Sequence, residues 1–207
     1  MIVLSIEGNI GAGKTTLLNK LKEIHSEFNY VPEPVDTWMK IKDDNGNHII
    51  KQYYSDIGRW AYTFQNFAFI SRHMIMDESI KNKKESDVFI TERCVFTDKN
   101  VFAQMLKEDN LMSELEFKIY DFWFDSLSKN NNVDAYIYVT TDVDLSEKRI
   151  KIRNREGETI QHDYLERLDS YHHKWLSNET KPVLLFDTEK DSIDKVINFI
   201  NGLKANK

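Results

Sequence analysis

The chain is poor in residues that cross-link or interrupt structure: one cysteine, three prolines and seven glycines in 207 residues. A lone Cys94 excludes an internal disulfide and suits a reducing compartment. No apolar run approaches the roughly 20 residues of a membrane-spanning helix. The first strand pattern begins at Ile2, with no signal or transit segment before it. A cytoplasmic protein without membrane association is the expectation. A basic stripe is also absent. The net charge is −6, from 28 Lys and Arg against 34 Asp and Glu, which argues against a dedicated nucleic-acid binder and for a small-molecule partner. One α/β domain spanning 1–207 would bury roughly 70% of its unfolded surface, so no structural metal is needed.

The scarce residues are concentrated. "SIEGNIGAGKTT", residues 5–16, holds three of the seven glycines and ends in a lysine and two threonines. Gly8, Gly13, Lys14 and Thr15 fit Gly-x-x-x-x-Gly-Lys-Ser/Thr, the pattern of a loop that wraps a polyphosphate. Glycine lets the backbone turn N–H groups inward, and a helix N-terminus adds positive potential. The loop Gly8, Asn9, Ile10, Gly11, Ala12, Gly13, Lys14, Thr15 and Thr16 is therefore the expected phosphate cradle. Lys14 would neutralise the β and γ phosphates in a solvated loop, and Thr15 would hold Mg²⁺. The context agrees: Ile2, Val3, Leu4 and Ile6 form an apolar strand before the loop, and Leu17, Leu18, Leu21, Ile24 and Phe28 recur at helical spacing after it.

Apolar runs predict buried parallel strands at 2–6, 88–90, 135–139 and 183–186, with a weaker one at Tyr30 and Val31. Helical patterns cover 56–80, 98–107, 113–127, 145–153, 164–176 and 193–203. In the longest, Trp60, Phe64, Phe67, Ser71 and Met74 share one face, and Gln65, Phe69 and Arg72 another. Strands alternating with helices imply a parallel sheet covered on both faces. "KNKKES" and "SKNNNV" read as solvated loops.

Three further stretches carry charge where strands end, which is where open parallel sheets bind ligands. "PEPVDTW" places Glu33 between two of the three prolines. "ITERCVFTDKNVF" ends a strand in Glu92 and Arg93, and "EKRIKIRNREGET" gathers Arg149, Arg153 and Arg155. Each alone also fits a plainer reading: a surface glutamate in a rigid turn, a structural ion pair, a solvated basic helix end.

In this order the stretches resemble the deoxynucleoside kinase family. The likeness covers "GNIGAGKTT", "EPVDTW", "YYSDIGRWAYTFQNFAFISR", "ERCVFTDKNVF", "RIKIRNREGE" and "DYLERLDSYHHKWL", nearly the whole chain. It implies a P-loop kinase fold with five parallel strands, helices on both faces and an arginine-rich lid at about 149–160. It also implies ATP, Mg²⁺, a homodimer, and γ-phosphoryl transfer to the 5′-hydroxyl of a deoxynucleoside.

Residue by residue, the resemblance implies that Glu33 accepts the hydroxyl proton, with Arg93 beside it, and that Glu92 lies near Mg²⁺. Arg149, Arg153 and Arg155 would close over the donor phosphates. Tyr54 and Glu158 would hold the 3′-hydroxyl, with Glu156 an alternative because this lid is one residue shorter than the usual pattern. Gln65 would pair with the base edge, its amide free to flip, with Trp38, Phe64 and Phe102 around the base plane. "FDTEKDSID" matches the loop beside the donor adenine. "ERC" stands for the "ERS" of many relatives, leaving Glu92 and Arg93 intact. Arg72 and Asp98 match the deoxycytidine and deoxyguanosine kinase branch and imply preference for a purine deoxynucleoside or deoxycytidine over thymidine. Two rivals share the phosphate loop. A monophosphate kinase of thymidylate-kinase type should line its acceptor pocket with arginines rather than a carboxylate, and a P-loop switch should show residues that orient water.

Overall fold

The protein is described from a computed structural model covering residues 1–81, 84 and 87–205. Five parallel strands, β1 (Ile2–Glu7), β2 (Asn29–Val31), β3 (Val88–Glu92), β4 (Ala135–Thr140) and β5 (Val183–Asp187), form one sheet in the order β2-β3-β1-β4-β5. The central β1 pairs Leu4 with Ile90 on one side and with Ala135 on the other. Every residue of β1 is buried, as a strand covered on both faces requires. Ile2, Leu4 and Ile6 pack on α1 (Lys14–Ile24) and α10 (Ile193–Ala205) through Leu17, Leu21, Val196 and Ile200. Alternation sends Val3 to the opposite face, against α4 (Ile57–Ile80) and α9 (His162–Ser177) through Met76 and Leu176.

The remaining helices are α2 (Val35–Lys40), α3 (Ile49–Ser55), α5 (Val95–Thr97), α6 (Gln104–Glu108), α7 (Glu114–Leu127) and α8 (Val143–Arg153). Among the described residues no helix is long and apolar enough to cross a membrane.

The expected sheet and the six longer helical patterns are present, with instructive differences. The helix after the glycine loop stops at Ile24, which is 53% exposed, while Phe28 reaches the core from the following turn. Met74 leaves its predicted face and is 63% exposed. Trp60, Phe64 and Phe67 instead pack on a satellite cluster around Trp38, Ile49 and Ile50 of α2 and α3, two helices too short to show a period. The pattern at 98–107 is not one helix. A π-helical stretch, Asp98–Ala103, separates α5 from α6, and such widened turns collect at functional sites. "SKNNNV" is not wholly loop, since Ser128–Asn130 forms a 3-10 turn extending α7. In "KNKKES", Asn82, Lys83, Glu85 and Ser86 lie outside the described residues.

Candidate active site

The glycine loop leaves β1 with Gly8 at φ 136° and Gly11 at φ 78°. A Cβ on Gly8 would stand 2.4 Å from the Val139 carbonyl oxygen, and one on Gly11 2.5 Å from that of Ser146. No other residue fits both the angle and the space. Gly13, at φ 102°, begins α1, which has no side-chain cap and no acid in its first turn. Its first N–H groups and its dipole are thus left for an anion. Asn9 ties the loop to α9 by donating from its amide to the Leu165 carbonyl, 2.9 Å.

Beside the loop, at the carboxyl ends of the strands, lies a cavity of about 570 Å³. Ile10, Gly11, Gly13, Lys14, Thr15 and Thr16 line its phosphate end, whereas Gly8, Asn9 and Ala12 support the loop from behind. Lys14 is not in a solvated loop as the sequence suggests. It is 4% exposed, and its Nζ donates to the Asn9 carbonyl, 2.6 Å. Burial, then repulsion from Arg93, lowers its pKa to about 7 against the attraction of Glu92, Glu33 and Glu7. Thr15 donates its hydroxyl to both carboxylate oxygens of Glu92, 2.9 Å each. Hydroxyl and carboxylate oxygens beside a phosphate cradle are a donor set that suits Mg²⁺.

Glu33 forms the centre of the far end. Its Oε1 accepts from Arg93 Nη1 at 2.8 Å and Arg72 Nη2 at 3.0 Å. Burial alone would raise its pKa, but Arg93, Arg72 and Lys14 prevail and hold it far below the usual carboxylate range. Arg72 also donates to Asp98 Oδ2, 2.9 Å, and to the Glu92 carbonyl, 3.1 Å. The Arg72 and Asp98 pair faces the cavity, beside Gln65 and Trp38. Gln65 donates its amide nitrogen to the Asp98 carbonyl, 3.0 Å, which favours one of the two orientations open to its amide. Trp38 is fixed by its Nε1 bond to Ser71, 2.8 Å, and by edge contact with Phe64. Phe102 lies under the Arg93 guanidinium, 5.1 Å from ring centre to carbon.

In the lid, α8 ends at Asn154 in the left-handed region, φ 46°. Arg153 and Arg155 then both donate to Glu158, at 2.5 and 3.2 Å. Glu158 lines the cavity, where Tyr54 also stands, whereas Glu156 points to Lys51, 3.7 Å, outside it. Arg149 lines the same cavity as Arg153 and Arg155, and its guanidinium donates to the Ala12 carbonyl, 3.1 Å, and to the hydroxyls of Thr141 and Thr188. Thr188 brings "FDTEKDSID" to this end.

Sequence reasoning missed Tyr53 and Tyr164, cavity residues whose hydroxyls meet at 3.1 Å. Tyr53 adjoins Tyr54 in α3, and Tyr164 is the second residue of the late family stretch, so the only signal was aromatic density. Val35 and Met39, one helical turn apart on α2, also line the wall; they looked like ordinary apolar residues.

The chain matches the family described as deoxynucleoside kinase over residues 4–202. It is 32% identical to deoxycytidine kinase of Homo sapiens, an alignment covering 97% of this chain and 89% of that protein. It is 37% identical to a probable deoxycytidine kinase of fowlpox virus (strain NVSL), over 92% and 80%. Mitochondrial deoxyguanosine kinase of Xenopus laevis is 32% identical over 91% and 82%. A kinase of this kind takes its phosphoryl group from a nucleotide donor and passes it to a deoxynucleoside. Phosphate loop, cavity and matched sequence agree, and the chain belongs to the deoxynucleoside kinase family.

Proposed function

We propose that the protein transfers the γ-phosphoryl group of ATP to the 5′-hydroxyl of a deoxynucleoside, favouring deoxyguanosine, deoxyadenosine or deoxycytidine over thymidine. The observation that carries this reading is the Glu33 carboxylate, fixed by two arginines in the same cavity as Lys14 and the open end of α1. Both arginines already pair with carboxylates, which favours a neutral hydroxyl over a monophosphate as the acceptor.

In the reaction the 5′-oxygen bonds to the γ-phosphorus as the bond to the β,γ-bridging oxygen breaks. The hydroxyl proton passes to Glu33. Its low pKa makes it a weak base, which suits a loose transition state in which the proton leaves late. Arg93, held against Glu33, stands beside the hydroxyl. Lys14 and the α1 N-terminus bind the donor phosphates. Thr15 and Glu92 would hold Mg²⁺, which when bound supplies positive charge to those phosphates. Arg153 and Arg155 add charge when the lid at 149–160 closes and excludes water. Arg149, held by Thr188 and the Ala12 carbonyl, adds a third guanidinium over the donor phosphates. Tyr54 and Glu158 take the 3′-hydroxyl.

Selectivity follows from the base end. A buried charged pair resists rearrangement, so Arg72 and Asp98 crowd the 5-methyl of thymine while offering hydrogen bonds to a purine or the amino edge of cytosine. The chain works as one domain in the cytoplasm and pairs with a second copy. Support for pairing comes from α7, where Leu115, Ile119 and Phe122 recur on one face and are exposed, beside the exposed Trp123. Incubation with ATP, Mg²⁺ and a panel of nucleosides and monophosphates tests the reaction: deoxynucleosides should gain a 5′-phosphate. Phosphorylation of monophosphates alone would overturn it.

A further inference from the structure

Glu7, the last residue of β1, is wholly buried and lines no part of the cavity. Its Oε1 accepts from the Ser5 hydroxyl, 2.5 Å, and its Oε2 from the Thr97 hydroxyl, 2.6 Å, across 90 residues of sequence. Thr97 is also wholly buried. Its oxygen accepts from the Cys94 N–H, 3.3 Å, and its own N–H donates to the Cys94 carbonyl, 3.1 Å. The Thr97 hydroxyl therefore points from the turn after Arg93 directly to Glu7.

That turn needs holding. Arg93 sits at φ 61°, a region a bulky residue enters only when its surroundings force it. The two neighbours of Glu7 grip Arg93 itself: its N–H donates to the Ile6 carbonyl, 3.0 Å, and its Nη2 to the Gly8 carbonyl, 3.2 Å. Thr91 holds the Arg93 carbonyl, 2.8 Å. We infer that Glu7 is a positioning residue which, through Thr97, fixes the turn that carries Arg93. The inference uses the proposed reaction only for the consequence of moving Arg93.

The chemistry favours a carboxylate here over its neutral isostere. Two hydroxyls donate to the two oxygens. A glutamine would present N–H groups to one of them and leave that hydroxyl proton without an acceptor. An amide facing Thr97 would compete with the Cys94 N–H for one oxygen and loosen the turn.

The test compares Glu7→Gln, Thr97→Val and Thr97→Ser with the wild type. Readouts are kcat, KM for each substrate, melting temperature, and the ¹⁵N–¹H resonance of Arg93 Nε, assigned by its disappearance in Arg93→Lys. Misplacing a substrate-facing arginine by a fraction of an ångström should lower kcat by roughly tenfold or more in Glu7→Gln and Thr97→Val, with KM for ATP within about threefold. The Arg93 resonance should move in both. Thr97→Ser keeps the hydroxyl and should restore both kcat and the resonance. Combining Glu7→Gln with Thr97→Val should cost little beyond either change alone, because both cut the same connection. Unmoved resonance and kcat, or Thr97→Ser behaving like Thr97→Val, would overturn the inference. If Glu7→Gln does not fold, the Thr97 pair decides. A wild type inactive on every nucleoside would refute the proposed reaction, while the resonance would still decide the role of Glu7.

Discussion

The two ends of the cavity are built differently. At the acceptor end, the side chains of Arg72 and Asp98 are 5% and 2% exposed and that of Glu33 14%, with Arg72 bonded to both carboxylates. In the lid, Arg153 and Arg155 are 35% and 24% exposed and share one carboxylate, that of Glu158, which is 4% exposed. Charges buried in a shared network cannot rearrange without stranding a partner, whereas a partly exposed guanidinium exchanges its partner for water at lower cost. Under the proposed reaction, the contrast matches substrate choice at the acceptor end and closure at the lid.

The largest effect should come from Glu33→Gln, which keeps shape but removes the proposed proton acceptor. Steady-state kcat should fall by roughly 10² to 10⁴, while calorimetric nucleoside binding changes far less. An unchanged rate would move the catalytic role elsewhere. Asp98→Ala alone leaves the Arg72 Nε without its carboxylate, with Glu33 as the remaining counter-ion, and should cost about 3 to 5 kcal/mol in denaturant unfolding, as breaking a buried pair does. A loss as small as that of a surface pair would erase the contrast between the ends.

A third test uses Lys14, whose pKa burial and Arg93 lower to about 7. Phosphate favours its charged form, so nucleotide binding at a pH above 7 should take up a proton, and the uptake should fade as pH drops below 7. Calorimetry in buffers of different ionisation enthalpy measures this, and Lys14→Met should reduce the uptake. The smallest effect belongs to the lid rim. Removing the exposed Lys51 and Glu156 pair should change stability by less than about 1 kcal/mol and leave deoxynucleoside turnover nearly unchanged.

The same contrast explains what the sequence made legible. Strands buried on both faces appear as short apolar runs, and the phosphate loop declares itself because Gly8 and Gly11 admit no side chain. Glu33, Glu92 and Arg93 stand at strand ends, where one-dimensional position already implies a site. Connections made by folding were hidden. The tether of Gln65 to Asp98 and the docking of Arg149 on Thr188 join distant residues, and Lys14 is buried only by the folding of the chain around it. The π-helical stretch was equally invisible, because helical periodicity fits a widened turn nearly as well as a regular one. Glu156 and Glu158 are separated by where the chain turns, at Gly157, φ 73°.

That the buried acceptor end chooses the substrate is tested most directly by kcat/KM on all four deoxynucleosides, for the wild type and for Arg72→Met combined with Asp98→Ala. Removing both members leaves no stranded charge and opens space beside the base. The wild type should prefer deoxyguanosine, deoxyadenosine or deoxycytidine, and the double mutant should gain thymidine activity as it loses that preference. Thymidine as the best wild-type substrate, or an unchanged order in a folded double mutant, would contradict the account.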